Sequence, residues 1–213
     1  MSGRRVIVVA SLAIASLVAG CGGTEQNAGE PHGSFPVSVS SSFPSSQRLA
    51  EQTSFVVRIK NVGNRAIPDV AVTVLNPKYG AAAQAFGTLL QENGAGQPIL
   101  AGRSRPVWII DQAPGPCDYS CKNRGPGGAA TAYSNTWALG KLAPGHAVAF
   151  RWKLTAVWPG AYTVDYEVAA GLNGYAKAVM SDQSPARGHF DVHISSATPQ
   201  VTVQSDGRVT QKD

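Results

Sequence analysis

The 213-residue sequence is poor in charge: Asp, Glu, Lys and Arg make up 15% of it, and only 13 residues are acidic. Acids this sparse and scattered do not assemble a calcium loop of the D-x-[DN]-x-[DN]-G kind. The basic residues form no cluster with interleaved aromatics, so no nucleic-acid partner is expected. There is no G-x-S-x-G elbow, no H-E-x-x-H pair, no P-loop and no G-x-G-x-x-G between strand and helix. The familiar hydrolase, zinc-protease and nucleotide-binding classes therefore find no support, and no cofactor is implied. Serines, histidines and acids occur, but no spacing orders them into a triad. Convincing amphipathic helices are missing too. The longest apolar stretch, about 15 residues, falls short of the roughly 20 needed to cross a bilayer. Cysteine is scarce, with three residues in all, Cys21, Cys117 and Cys121.

That apolar stretch has a definite context. Arg4 and Arg5 precede residues 6–18, and Val18-Ala19-Gly20 leads into Cys21-Gly22-Gly23. A charged start, a short apolar core and small residues before a cut mark an export leader. The segment resembles a bacterial lipoprotein signal peptide, cleaved before Cys21 and lipidated there. Gly3-Arg4-Arg5-Val6-Ile7 lacks the rest of a twin-arginine signal, which favours the general secretory route. Acyl chains on Cys21, palmitate among them, would contribute about 0.8 kcal/mol per buried methylene and tether the protein to the extracytoplasmic face of the cell membrane. Removing residues 1–20 takes away two arginines and no acid, so the formal charge of +5 (18 − 13) becomes +3 (16 − 13). In an exported chain disulfides are permitted, and Cys117 and Cys121, flanking Asp118-Tyr119-Ser120, are expected to bridge. A metal or redox pair is the weaker alternative, because a lone C-x3-C supplies two ligands where zinc takes four.

Residues 21–33 combine Gly, Pro and polar side chains without apolar periodicity and are expected to form a flexible tether. Beyond them the dominant period is two. Phe55, Val57 and Ile59 alternate with Arg58 and Lys60, and Val70, Val72 and Val74 alternate with Ala71 and Thr73. The two segments read as antiparallel strands joined through Asn61-Val62-Gly63-Asn64, residues that tolerate positive φ. Val148, Phe150, Trp152 and Leu154 share a face, Pro159-Gly160 turns the chain, and Tyr162, Val164, Tyr166 and Val168 share the next. Residues 175–180 and then Phe190, Val192 and Ile194 close the domain. Short strands between Gly/Pro turns predict an all-β, immunoglobulin-like antiparallel β-sandwich over residues 34–196. Residues 197–213 are expected to be a flexible polar tail, with Val201-Thr202-Val203 able to pair with an edge strand.

Arg58-Ile59-Lys60-Asn61-Val62-Gly63-Asn64 followed by Ile67-Pro68-Asp69-Val70 resembles the opening of CARDB-type extracellular modules. Leu142-Ala143-Pro144-Gly145 and Pro159-Gly160-Ala161-Tyr162 are similar to their late strands. The two blocks cover about half of the chain. The resemblance implies an adhesion, spacer or accessory unit and carries no catalytic residues. The chain departs from it over residues 76–133, which read as a long inserted loop region with one strand expected at Pro106 to Ile110 and the cysteine loop after it.

Long loops on a rigid sandwich are where binding residues concentrate. Tyr119, Trp108, Tyr133 and Trp137 are candidates for an aromatic platform that holds a sugar ring or polymer. Large aromatics are mostly buried, however, and the alternation in Trp137-Ala138-Leu139 favours a core role for the two tryptophans. His189, Asp191 and His193, two apart on a strand, would share a face and offer two imidazoles and a carboxylate to zinc or copper. The outer pair would lie about 13 Å apart, too far to reach one ion unaided, so a plain polar strand face is the favoured reading. The sequence thus points to a non-enzymatic binding or scaffold module at the cell envelope, with an envelope protein or glycan as partner. An envelope hydrolase or metal-dependent enzyme, and a structural accessory subunit, are the rival classes.

Overall fold

The computed structural model describes residues 29–75, 84–87, 106–115, 131, 135–198, 200–205, 207 and 209–212. Its strands are β1 (Gly33–Ser42), β2 (Ser46–Arg48), β3 (Gln52–Asn61), β4 (Ala71–Val74), β5 (Gln84–Gly87), β6 (Pro106–Gln112) and β7 (Thr136–Ala138). They continue with β8 (Ala147–Ala156), β9 (Gly160–Ala169), β10 (Ala176–Val179), β11 (Arg187–Ser195), β12 (Gln200–Val203) and β13 (Val209–Lys212). The described residues contain no helix.

Alternation sets which side chains face inward. Phe55, Val57 and Ile59 of β3 are fully buried, and so are Phe150, Trp152 and Leu154 of β8. Arg58, Lys60, Arg151 and Lys153 on the same two strands are exposed. A six-stranded sheet, in the order β10-β1-β3-β8-β6-β5, packs on a five-stranded one in the order β2-β11-β9-β4-β7. By sheet and sequence order, β1, β3, β8 and β6 occupy the ABED positions of an immunoglobulin-like sandwich, and β4, β9 and β11 the CFG positions. The opening strand divides between the sheets. β1 pairs with β3, Phe43-Pro44 breaks the run, and β2 then lies parallel to β11 on the other side. Tyr162, near the start of β9, donates its hydroxyl to the Pro159 carbonyl at 3.1 Å, the tyrosine corner of such sandwiches.

Several expectations are corrected in detail. The sheets are mixed, since β1–β10, β2–β11 and β5–β6 are parallel pairs. β3 and β4 do not pair; they lie in opposite sheets, because both bury one full face and the core between them is where those faces meet. The Asn61 loop needs no positive φ. Instead the buried Asn61 amide donates to the carbonyls of Arg65 at 2.8 Å and Leu142 at 3.0 Å, while its carbonyl accepts the Gly63 N–H at 3.0 Å. Within residues 76–133, the strand expected at 106–110 is present as β6, and β5 is a further strand beyond that expectation. Residues 29–33 belong to the fold and not to the tether, for Gly33 opens β1 and Glu30 is buried. In the tail, β12 and β13 pair with each other as a separate two-stranded sheet.

The core is strongly aromatic. Phe55 stacks on Trp152 with centroids 4.8 Å apart, Trp137 meets Trp152 at 5.3 Å, and Phe43 meets Trp108 at 5.3 Å. Trp108 donates its indole N–H to Oε1 of the buried Gln47 at 2.7 Å, and Gln47 in turn donates to the Pro44 carbonyl at 2.9 Å. That chain of bonds ties β6 to the point where the opening strand changes sheets. Trp108→Ala should therefore lower unfolding free energy by about 3–5 kcal/mol. Trp108→Phe, which fills most of the space but orphans Gln47, should cost about 1–3 kcal/mol. Urea denaturation read by circular dichroism distinguishes the two, and an unchanged stability in Trp108→Phe would show that the hydrogen bond contributes nothing.

Candidate functional site

The outer face of β9 and β11 gathers most of the chemistry the sequence singled out. Antiparallel register sets Arg187 opposite Glu167, His189 opposite Asp165, Asp191 opposite Thr163 and His193 opposite Ala161. Directly opposed residues share a face with Cβ atoms about 4.5–5.5 Å apart, so Arg187 and Glu167 are charge-complementary neighbours and Asp165 stands beside the His189 imidazole. The Thr163 hydroxyl donates to Asp191 at 2.6 Å. Arg187, His189, Asp191 and His193 are all exposed, while Val192 and Ile194 on the opposite face of β11 are buried. Beside the first two pairs lies an open cleft of about 490 Å³, lined by Leu75, Asp165, Tyr166, Glu167, Arg187, Gly188 and His189.

His189, Asp191 and His193 do share one face, as the alternation predicts. They stand along it in single file, and among the described residues no group of three metal-type ligands converges. Trp108 is corrected as a binding candidate: it is wholly buried, so its ring offers no platform to a ligand. Trp137 is likewise in the core. Cys21, Cys117, Cys121, Tyr119 and Tyr133 lie outside the described residues.

A second cluster sits at the end of the sandwich where the domain begins. The Glu30 carboxylate is buried and accepts the backbone N–H groups of Asn173 and Ala176, each at 2.7 Å. Gly171 passes so close that a Cβ there would overlap that carboxylate, which is why the position has no side chain. Nearby, Asp69 accepts the Gly140 N–H at 3.0 Å, and its backbone N–H donates to the Ala170 carbonyl at 3.1 Å. Partial burial pushes the Asp69 carboxyl above its ordinary value of 3.8; the Gly140 hydrogen bond pulls it down, and the negative charge of Glu30 adds to the rise. Glu30 was invisible to sequence reasoning. A lone acid in a Gly/Pro-rich stretch carries no pattern, and its partners are backbone amides more than 140 residues away.

No protein-family profile matches the chain, and no curated relative matches its sequence. Solved structures align with it at low identity. The CARDB domain of the PF1109 protein from Pyrococcus furiosus, solved in complex with di-metal ions, is 15% identical over 76% of this chain and 96% of that one, with a TM-score of 0.41. Escherichia coli alpha-2-macroglobulin, from domain MG7 to its C-terminus, is 11% identical over 83% of this chain and 21% of that one, with a TM-score of 0.40. A beta-glucosidase from Listeria innocua, in complex with gluconolactone, aligns at 13% identity over 77% of this chain and 16% of that one, with a TM-score of 0.36. A CARDB module thus stands among the neighbours, while the fold assignment rests on strand order and register. No family membership, metal or ligand transfers to this chain.

Two substitutions test these acids. Glu30→Ala removes charge-assisted hydrogen bonds and should cost about 1.5–3 kcal/mol, with faster hydrogen exchange at the amides of Asn173 and Ala176. Asp69 has the opposite sign. Its folded-state carboxyl binds its proton more tightly than in the unfolded chain, so ionisation opposes folding at neutral pH, and that opposition fades as pH falls towards 3.8. Asp69→Asn keeps an acceptor for Gly140 and should match or exceed the parent in stability at pH 7, with the difference gone below pH 3.8. A marked loss of stability at pH 7 would show that the charge itself is needed.

Proposed function

We propose that this chain is a lipid-anchored, extracytoplasmic binding or scaffold module, held at the cell membrane through Cys21 and working without catalysis. The observation that carries the binding role is the β9–β11 face, where charged residues of both signs stand in fixed cross-strand order on a rigid sheet beside an open cleft. An open, polar surface of this kind suits a protein or polymer partner with complementary charge, because electrostatic matching fixes register and steers encounter. An envelope protein or glycan is the proposed partner. The leader and lipobox of residues 1–23 support the anchoring half of the reading. The interval 76–133 is less suited to be the whole contact surface, since β5 and β6 within it contribute Phe86, Val107 and Trp108 to the core.

Each half has its own measurement. Metabolic labelling with a radioactive fatty acid should mark the protein, and Cys21→Ser should abolish the label; label that survives the substitution would remove Cys21 as the anchor. Pull-down from detergent-solubilised envelopes should recover a partner that Glu167→Lys with Asp191→Lys loses, because both changes reverse charge on the exposed face without touching the core. Equal recovery with both proteins would move the contact surface elsewhere.

A further inference from the structure

The end of the sandwich from which the anchor would leave is cationic. Residues 29–33, 60–69, 140–147 and 170–177 converge there through backbone bonds: Asn61 N–H to the His146 carbonyl at 3.0 Å, Gly33 N–H to Tyr175 at 3.1 Å and Asp69 N–H to Ala170 at 3.1 Å. Within those four segments Lys60, Arg65, Lys141 and Lys177 are exposed, as are His32 and His146. The same segments hold two acids, Glu30 and Asp69, and both are turned inward onto backbone amides. Two apolar side chains also project here, Val62 and Tyr175, each 50% exposed.

We propose that this end is a membrane-facing surface that rests on anionic phospholipid headgroups, an inference that builds on lipidation of Cys21. Charge complementarity and chain length argue for that occupant. Eight Cα steps separate Cys21 from Gly29 and reach at most about 30 Å, which keeps this end of the domain close to any bilayer that holds Cys21. The Glu30 bonds pin the point of exit, so the end turned towards the anchor is fixed by the fold. Lys and Arg side chains near an anionic surface each favour contact by about fivefold. Tyrosine is enriched at the membrane–water interface, where Tyr175, ring to ring with His32 at 4.4 Å, would lie.

The test uses the protein isolated from cells, with acylation of Cys21 read independently from its intact mass. It is mixed with vesicles of phosphatidylcholine alone or of phosphatidylcholine with phosphatidylglycerol, and hydrogen exchange is followed at residues 62–65, 141–146 and 173–177. Protection on the phosphatidylglycerol vesicles only, erased by high salt, is the expected result. Lys141→Gln with Lys177→Gln should reduce the protection factor by about 25-fold. Arg151→Gln with Lys153→Gln, which removes the same charge from the outer face of β8, should leave it unchanged. Equal exchange on both vesicle types, or equal loss in both double variants, would overturn the surface. Protection without acylation would keep the surface and remove the anchor, whereas acylation without protection would do the reverse.

Discussion

The structure depends on a slab of aromatic rings packed between the two sheets. Phe55, Phe86, Trp108, Phe150 and Trp152 come from the first sheet, and Trp137, Tyr162, Tyr166 and Phe190 from the second; Phe43 comes from the kink that joins them. Each large ring buries about 150–250 Å² and favours tilted or edge contacts over a face-to-face sandwich. Rings of this size need room, and two glycines supply it. Tyr166 lies over Gly188, directly opposite it in register, so that a Cβ there would meet its hydroxyl oxygen at 2.6 Å. Tyr162 likewise covers Gly160, whose φ of 148° already disfavours a side chain. The Tyr166 hydroxyl then reaches the Ser41 hydroxyl at 2.8 Å, joining the sheets across the edge of the slab.

That packing explains which parts of the fold were legible in the sequence. Period two reports which face of a strand is apolar, and the burial of Phe55, Val57 and Ile59 or of Tyr162, Val164 and Tyr166 follows the alternation. It does not report which strand lies alongside. Neighbours in sequence, such as β3 and β4, can hide the same kind of face by meeting across the core as readily as by pairing edge to edge. Parallel pairs are harder still to read, because β1 and β10 or β2 and β11 are brought together by the whole topology and by no local turn. The interval 76–133 illustrates the same blindness from the other side. The strand carrying Trp108 is readable there. The Gly-, Pro- and Ala-rich composition around Phe86 reads as loop, yet Phe86 meets Trp108 and completes the aromatic slab.

For the candidate site the contrast is between residues that look chemical and residues that bear a structural load. His189, Asp191 and His193 are conspicuous in sequence, and alternation correctly gives them one exposed face. What alternation cannot supply is the opposing strand, which sets Asp165 beside His189 and Glu167 beside Arg187 and so turns a polar strand into a two-strand charged surface. Glu30 and Asn61 are inconspicuous by comparison. Their partners are main-chain groups, which carry no residue identity for a sequence pattern to register.

The same preference for main-chain partners shapes the electrostatics of the domain. Had Glu30 and Asp69 been satisfied by two of the four cations at the end of the sandwich nearest the start of the fold, half of its surface positive charge would have been paired off. Backbone N–H groups stabilise a buried carboxylate without contributing a formal charge. The cations of that end therefore remain at the surface. Arg65 lies over the Phe35 ring at 4.6 Å and donates to the Ser34 carbonyl at 3.1 Å, which holds its charge in place without cancelling it. The ion pair that the described residues do contain, Arg48 with Glu51 at 3.9 Å, belongs to the opposite end, beside the kink between β1 and β3. Among the described residues the two ends of the sandwich thus differ, with exposed unpaired cations at one and an ion pair at the other, and the difference follows from the backbone hydrogen bonds of Glu30 and Asp69.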